Sequence, residues 1–139
     1  MIWANAYVGL PWADLGRDRT GCDCWGLARL VYAEQLGIAL PSYSDAYPCA
    51  GEQAEVAALI GRESQVGPWR PVTDRPGPFD LLLFRRGRLA SHLGVAIGGG
   101  RMLHMDGEAQ ARIVGLDDIR WRTRLVGAFR HVETEVKPA

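Results

Sequence analysis

The segment that decides the fold is Thr20-Gly21-Cys22-Asp23-Cys24-Trp25-Gly26-Leu27-Ala28-Arg29-Leu30-Val31-Tyr32. Four of its small or apolar residues recur at i, i+3, i+4 and i+7, the spacing of one helical face: Cys24, Leu27, Ala28 and Val31. Asp23 directly precedes this pattern and is a favourable N-cap, so the segment predicts a helix with Cys24 in its first turn. The predicted helix extends to about Leu36, and Gly37 is its C′ residue.

The predicted position of Cys24 suits a nucleophile. The first turn of a helix has unpaired N–H groups and partial positive charge, which favour a thiolate over a thiol. The same N–H groups can stabilise an oxyanion on a substrate that the sulfur attacks. A lone cysteine can equally be a small buried hydrophobe. Histidines farther along the chain favour the catalytic interpretation.

Length and composition are those of one globular domain, predicted to comprise residues 1–139. Hydrophobic residues make up 47% of the chain and charged residues 23%. Lys plus Arg and Asp plus Glu both number 16. This balance gives no net field that would favour nucleic acid or an anionic membrane surface.

The three cysteines do not have the spacing of a disulfide framework, which favours a reducing compartment. The first seven residues contain neither the basic nor the apolar region of a signal peptide. No apolar run approaches the length of a membrane span. We therefore expect synthesis in a reducing cytoplasm without a signal peptide, and no membrane insertion.

Helical patterns precede strand patterns along the chain. Residues 14–21 are predicted to form a loop, 52–63 a second helix and 64–78 a long connection rich in proline and glycine. The continuous apolar run 81–84 predicts a central strand, followed by a turn at 85–88. Alternation over 92–97, a glycine hairpin at 98–100, a return strand at 101–105 and short strands near 111–114 and 125–132 complete the pattern. This order predicts an α+β fold, with N-terminal helices packed on a small antiparallel sheet.

Two histidines, His92 and His104, lie on opposite arms of the glycine hairpin. A three-residue loop at Gly98–Gly100 would pair His104 with Gly94 and His92 with Asp106. The histidines would then be diagonal neighbours, with Cβ atoms roughly 7 Å apart. We expect Nε2 of His92 to point at the cysteine and its Nδ1–H to be held by the second ring. Small residues at Gly94 and Ala96 would leave room for a helix end to approach.

Several alternatives remain open at this point. Asp106 rivals His104 as the partner of His92. Zinc could bind a set made of Cys22, Cys24 and the two hairpin histidines, although Cys-x-Cys is not the usual metal spacing. His131 lies beside the charged C-terminal end and is expected at the surface. Cys22 and Cys49 are interpreted as structural or incidental thiols.

A family resemblance extends from about Tyr7 to His131. The segments that carry it are Tyr7-Val8-Gly9-Leu10-Pro11-Trp12, Asp23-Cys24-Trp25-Gly26-Leu27, Ile38-Ala39-Leu40-Pro41, Phe79-Asp80-Leu81-Leu82-Leu83-Phe84, Ser91-His92-Leu93-Gly94-Val95-Ala96-Ile97 and Met102-Leu103-His104. In this order they resemble the NlpC/P60 superfamily of cysteine peptidases, which cut peptidoglycan stem peptides. Phe79 stands where that family usually has glycine. The resemblance implies a papain-like fold and no cofactor.

The resemblance also implies roles for individual residues. Cys24 would be the nucleophile, His92 the general base and acid, and His104 its orienting partner. Tyr7 and Asp23 would lie on the substrate-facing side of the cleft, and we place Trp25 with them as a candidate substrate-binding residue.

Trp25 stands where the cell-wall enzymes usually have serine. Tryptophan at this position is similar to the branch found in phage tail proteins, including the tail assembly proteins of lambda-like phages. The expected partners are therefore peptidoglycan stem peptides and the tail-tip or baseplate proteins of a phage or phage-like particle. A structural tail component with little hydrolase activity, or amide or ester chemistry on another substrate, are the alternatives.

Overall fold

The structure is a computed structural model that describes residues 3–13, 16–40, 69–86, 89–106 and 109–135. The second helix predicted at 52–63 lies outside these residues. A 3-10 helix at Trp3–Tyr7 opens the described chain. Within the described residues, no helix has the length and apolar character needed to span a membrane.

Within the described residues, the main sheet has six antiparallel strands, which are β3 Trp69–Pro71, β4 Leu81–Arg86, β5 Leu89–Gly98, β6 Arg101–Asp106, β7 Gln110–Gly115 and β8 Leu125–His131. Their order across the sheet is β3-β8-β4-β5-β6-β7. Two further strands, β1 Arg17–Asp18 and β2 Gly21–Cys22, pair with each other in a second sheet. The apolar run of β4 lies between two neighbouring strands, as its continuous hydrophobicity predicts. Together with the N-terminal helix, this sheet confirms the predicted α+β fold.

Helix α1 extends over Cys24–Val31 and continues as a wider π-helical turn at Tyr32–Leu36. Asp23 caps its start, because Oδ1 of Asp23 accepts a 2.8 Å bond from the backbone N–H of Gly26. Gly37 ends the π-helical turn in the left-handed conformation with φ of 68°. Both predicted helix signals are confirmed, and only the widening of the last turn was not predicted.

Two apolar clusters lie in the sheet region. The larger joins the predicted face of α1 to residues of the sheet, including Leu81, Leu93, Val95 and Leu103. The smaller contains Leu82, Phe84, Ala96, Met102 and Ala128, with Trp121 packed against it. Side chains of successive strand residues therefore alternate between the two clusters, as pleated strands require. Helix α1 contacts both β5 and β6, the two strands of the glycine hairpin.

The glycine hairpin has the predicted register but not the predicted loop. Gly94 pairs with His104 and Ala96 with Met102, whereas Gly98 pairs with Arg101 after a register shift. Gly99 and Gly100 alone form the turn, with φ of 63° and 76°. The bulge before Gly98 supplies the extra residue, so the strands pair as a three-residue loop would pair them.

The prediction of a connection over 64–78 was wrong at Trp69–Pro71, which is strand β3 paired with β8. Proline is tolerated there because β3 is an edge strand. The prediction that His131 lies at the surface was also wrong, because the unpredicted strand β3 lies beside it. Trp69 pairs with His131, and its ring packs edge-on against the imidazole at 4.9 Å. His131 is consequently buried.

Two predicted irregular segments contain strand residues. The loop predicted at 14–21 includes the β1–β2 pair, and the turn predicted at 85–88 begins late, because Arg85 and Arg86 pair with Ala90 and Leu89. A short helix at Ile119–Arg122, capped by Asp118, was not predicted. The last helical turn, Val132–Glu135, follows β8 directly.

Candidate active site

His92 and His104 form a buried pair in the sheet. Nε2 of His92 lies 3.0 Å from Nδ1 of His104, and each side chain is about 1% exposed. Because His104 pairs with Gly94, two residues along β5 from His92, the histidines are diagonal neighbours on one face. The predicted register therefore brings the two rings together.

The predicted ring nitrogen was wrong. The sequence analysis expected His104 to hold Nδ1 of His92, whereas the bond uses Nε2. His104 is a diagonal neighbour of His92. Its ring therefore lies next to Nε2, the nitrogen of His92 that is farther from the His92 backbone, rather than next to Nδ1. His92 thus uses Nε2 toward His104, and its second ring nitrogen is Nδ1.

Gly94 makes room for side chains of β6. A Cβ atom built there would lie 2.6 Å from Sδ of Met102 and 3.5 Å from Cβ of His104. The space at this position is therefore used by Met102 and His104. The atoms nearest to this position belong to β6, and the expected approach of a helix end stays a prediction.

Two aromatic rings complete the surroundings of His92. Phe84 is its cross-strand partner, with ring centroids 6.0 Å apart. Trp121 lies nearly parallel to the His92 imidazole at 5.1 Å and 22°. The sequence analysis did not identify Trp121, although the Asp118 N-cap signal before Ile119 was available to place it on a helix.

Cys24 occupies the first turn of α1 and is 5% exposed. Its helix contacts both histidine strands. Cys22, two residues earlier in β2, is completely buried. Of the two cysteines that the structure describes, Cys24 is therefore the one at the capped start of a helix that contacts β5 and β6.

The three candidate substrate-binding residues, Tyr7, Asp23 and Trp25, are all completely buried. Asp23 acts as the cap of α1. Trp25 belongs to the larger apolar cluster. The Tyr7 hydroxyl donates a 2.7 Å bond to Glu34 Oε1. Whether they contact substrate stays a prediction.

Charge surrounds the Tyr7 hydroxyl. Arg19 forms a salt bridge with Glu34 at 2.7 Å, and its guanidinium carbon lies 4.9 Å from the Tyr7 ring centroid. Burial raises the pKa of Tyr7 above its ordinary value, whereas the hydrogen bond from Arg19 lowers the pKa of Glu34. At neutral pH the cluster therefore contains a protonated phenol, a carboxylate and a guanidinium.

Two alternatives were left open by the sequence: Asp106 as the partner of His92, and a zinc site. The rival role of Asp106 rests on a side chain outside the described part of the structure, so it stays a prediction. Among the residues that the structure describes, no group of three or more His, Cys, Asp or Glu side chains is arranged to hold a metal ion.

The NlpC/P60 family model matches residues 9–130 of the chain. The murein DD-endopeptidase MepS/murein LD-carboxypeptidase of Escherichia coli (strain K12) is 28% identical over 115 residues, which are 83% of this chain and 52% of the relative. The gamma-DL-glutamyl hydrolase of Bacillus subtilis (strain 168) is 26% identical over 130 residues, which are 91% of this chain and 27% of the relative. The chain thus spans about half or less of these relatives' lengths.

A solved structure shares the fold. The NlpC/p60 domain of the peptidoglycan hydrolase SagA superposes with a TM-score of 0.61 at 22% identity. The match covers 91% of this chain and 92% of that domain. At this identity the similarity establishes the fold, and the family model supplies the family.

Proposed function

The chain belongs to the NlpC/P60 family, and from this membership we propose that it is a cysteine hydrolase that cleaves peptide bonds in peptidoglycan stem peptides. The observation that carries the proposal is the buried hydrogen bond between Nε2 of His92 and Nδ1 of His104, on two strands that contact the helix of Cys24. A paired imidazole near a cysteine at a helix start is the arrangement that thiol hydrolysis needs. The names of the relatives, a murein endopeptidase and a glutamyl hydrolase, agree with this chemistry.

In the proposed mechanism His92 exchanges its proton with Cys24 through Nδ1. The thiol proton passes to His92, and the thiolate attacks the carbonyl carbon of the scissile amide. The C–N bond breaks, the leaving amine takes the proton from the imidazolium, and a thioester remains on Cys24. Water then attacks the thioester while His92 accepts its proton, which returns to the departing sulfur as the acid product forms.

His104 has a positioning role in this proposal. A hydrogen bond from Nε2–H of His92 to Nδ1 of His104 fixes the tautomer of His92, so its Nδ1 can accept the thiol proton. The same bond stabilises the imidazolium that forms. Both rings are about 1% exposed, so the bond is protected from competing water.

The proposal keeps Tyr7, Asp23 and Trp25 on the substrate-facing side of the cleft. Because all three are buried, their contribution would be to hold the cleft wall in shape. Asp23 would do so by fixing the first turn of α1, whose N–H groups are the candidate oxyanion donors.

A finer proposal concerns where the enzyme works. We propose that it is made in the bacterial cytoplasm and carried at the tail tip of a phage or phage-like particle, where it aids wall penetration. Trp25 supports this, because tryptophan after the nucleophile resembles the phage tail branch. Co-purification of the chain with tail or baseplate proteins would support tail-tip carriage, and a free secreted enzyme would overturn it.

The second candidate function is a tail-tip component without hydrolase activity. Alkylation of Cys24 by iodoacetamide at pH 6 separates the two candidates. An activated thiolate reacts quickly at this pH, whereas an ordinary thiol with a pKa of about 8.5 reacts slowly. Slow alkylation of Cys24 would favour the structural component.

The decisive experiment is digestion of purified peptidoglycan, with mass analysis of the fragments. Wild-type protein should release shortened stem peptides, and Cys24→Ala should release none while keeping the fold. Cys22→Ala is the matched control, because Cys22 is also a buried thiol only two residues away. Undiminished hydrolysis by Cys24→Ala would overturn the proposal, and hydrolysis of other amides alone would redirect it to a different substrate.

A further inference from the structure

Trp121 is held against the histidine pair by a short capped helix. Asp118 Oδ1 accepts a 2.9 Å bond from the backbone N–H of Arg120, and the Arg120 guanidinium returns a 3.0 Å bond to Asp118 Oδ2. Ile119 is 65% exposed, and Arg120 and Arg122 are exposed as well. The helix therefore points its polar residues outward and its tryptophan inward.

The Trp121 ring contacts three aromatic partners at once. It stacks on His92 at 5.1 Å and 22°, meets His104 edge-on at 4.7 Å and 72°, and packs against Phe84 at 5.4 Å and 71°. The indole thus covers both members of the His92–His104 hydrogen bond. A parallel stack presents the negative face of the indole to the imidazole of His92.

The polar atom of Trp121 plays no part in this packing. Within the described residues, Nε1 of Trp121 is a buried donor without a hydrogen-bond partner. A buried tryptophan normally finds an acceptor for its N–H. Leaving this donor unpaired lowers stability, so the position of the ring is favourable for a reason other than its hydrogen bonding.

We propose that Trp121 is a positioning residue of the hydrolase proposed above: its indole face holds His92 in line with His104 and stabilises the imidazolium form of the pair. This inference rests on the proposed function for its catalytic meaning, but not for its physical content. A cation over the face of tryptophan is attracted by the ring quadrupole, and the attraction increases when water is excluded. Tryptophan is the best side chain for this contact.

Charged and titratable groups on the elements around His92 also act on its protonation. On the described residues of the strands and helices around His92, these groups are Asp23, Cys24, Arg29, Arg85, Arg101, His104, Arg112, Asp118, Arg120 and Arg122. Arg85, Arg112 and Arg122 are exposed, and Arg120 is paired with Asp118. Substitution of Trp121 changes none of these charges, so a change in titration is attributable to the indole.

The test is an NMR titration of the three histidines in the full chain, in wild type, Trp121→Phe and Trp121→Leu. Leucine keeps an apolar cover without a π face, so the apparent pKa of the His92–His104 pair should fall by about 0.5 to 1 unit. Phenylalanine should give a smaller fall. His131 is the internal control, because its ring neighbours are Trp69 and Tyr32, and its titration should not move.

Two measurements keep the outcome decisive. In wild-type protein the stacked indole should shift the ring protons of His92 upfield, which requires no variant to fold. In active enzyme, the alkaline limb of kcat/KM should move to lower pH in Trp121→Leu, because the imidazolium loses its proton earlier. Unchanged titration of the pair in Trp121→Leu, or absent upfield shifts, would overturn the proposal. The titration needs no turnover. An inactive wild type would therefore contradict the proposed hydrolase function, while the titration would still test the effect of Trp121 on the histidine pair.

Discussion

The phenyl ring of Phe79 stacks on the indole of Trp3, with ring centroids 4.6 Å apart and an interplanar angle of 19°. Its backbone has a φ of 72°, a left-handed conformation that no other non-glycine residue of the described chain adopts. The backbone is held at both ends, because the Phe79 N–H donates to Ala96 and its carbonyl accepts from the Tyr32 hydroxyl. The aromatic stack and this strained backbone therefore occur in the same residue.

This strain can be measured by comparing Phe79→Gly with Phe79→Ala. Both variants lose the stack, but only glycine adopts positive φ without a steric cost. We expect Phe79→Gly to be more stable than Phe79→Ala by about 1 kcal/mol in urea unfolding. At Phe129 in strand β8 the order should reverse, because glycine weakens an ordinary strand. Equal stabilities at position 79 would show that the backbone is unstrained.

Substitutions of His104 should separate its proposed orienting role from the effect of its side-chain volume. Asparagine or glutamine can accept the bond from Nε2–H of His92, so His104→Asn and His104→Gln should retain appreciable kcat. His104→Leu should lose much more, and His92→Asn should be nearly inactive. Asp106→Asn is the comparison. A near-wild-type kcat in His104→Leu beside a large loss of kcat in Asp106→Asn would transfer the role to Asp106.

Loss of the Asp23 cap should destabilise α1. Asp23→Ala leaves the buried N–H of Gly26 without its acceptor, so we expect a loss of about 1 to 2 kcal/mol in the free energy of unfolding. Asp23→Asn retains an acceptor and should cost much less. Removing the negative charge beside Cys24 should also speed alkylation of Cys24 at pH 6 in Asp23→Asn. A full loss of stability in Asp23→Asn would mean that charge, not capping, is what α1 needs.

The pH dependence of stability should contain a contribution from His131. Burial lowers the pKa of His131 below its ordinary value of 6.5, so the unfolded chain binds this proton more readily than the folded chain. The contribution of His131 to the free energy of unfolding is therefore fully present above pH 6.5, and it is lost as the pH falls through the lowered pKa of the folded state. His131→Phe keeps a ring against Trp69 and should flatten this part of the curve. An equally steep acid loss in His131→Phe would assign the effect to other groups.

The sequence predicted the parts of the site that depend on local signals. Asp23 and Gly37 mark the ends of the helical segment by capping chemistry, and the spacing around Gly98–Gly100 predicted which residues of β5 and β6 face each other. These signals lie within a few residues of the feature that they determine.

Features that depend on tertiary contact were missed. Strand β3 is only Trp69–Pro71 in a stretch rich in proline, so its pairing with β8 and the burial of His131 could not be predicted. The position of Trp121 depends on the packing of a helix that follows both histidines in the chain. The arginines of this helix are typical of an exposed segment. The bonded nitrogen of His92 depends on ring orientation, which strand pairing does not determine.

The bulged turn at Gly98 makes the geometry of the His92–His104 pair sensitive to the length of the chain that connects β5 and β6. Strand side chains alternate, so whether the two histidines meet depends on whether the connection adds an odd or an even number of residues. Deletion of Gly99 or Gly100 would change that parity and carry His104 to the opposite face without altering one side chain of the site. An insertion of two residues would preserve it. Among variants of this hairpin, contact between the two histidines should therefore depend on whether the number of residues added or removed is odd or even, rather than on how large that number is.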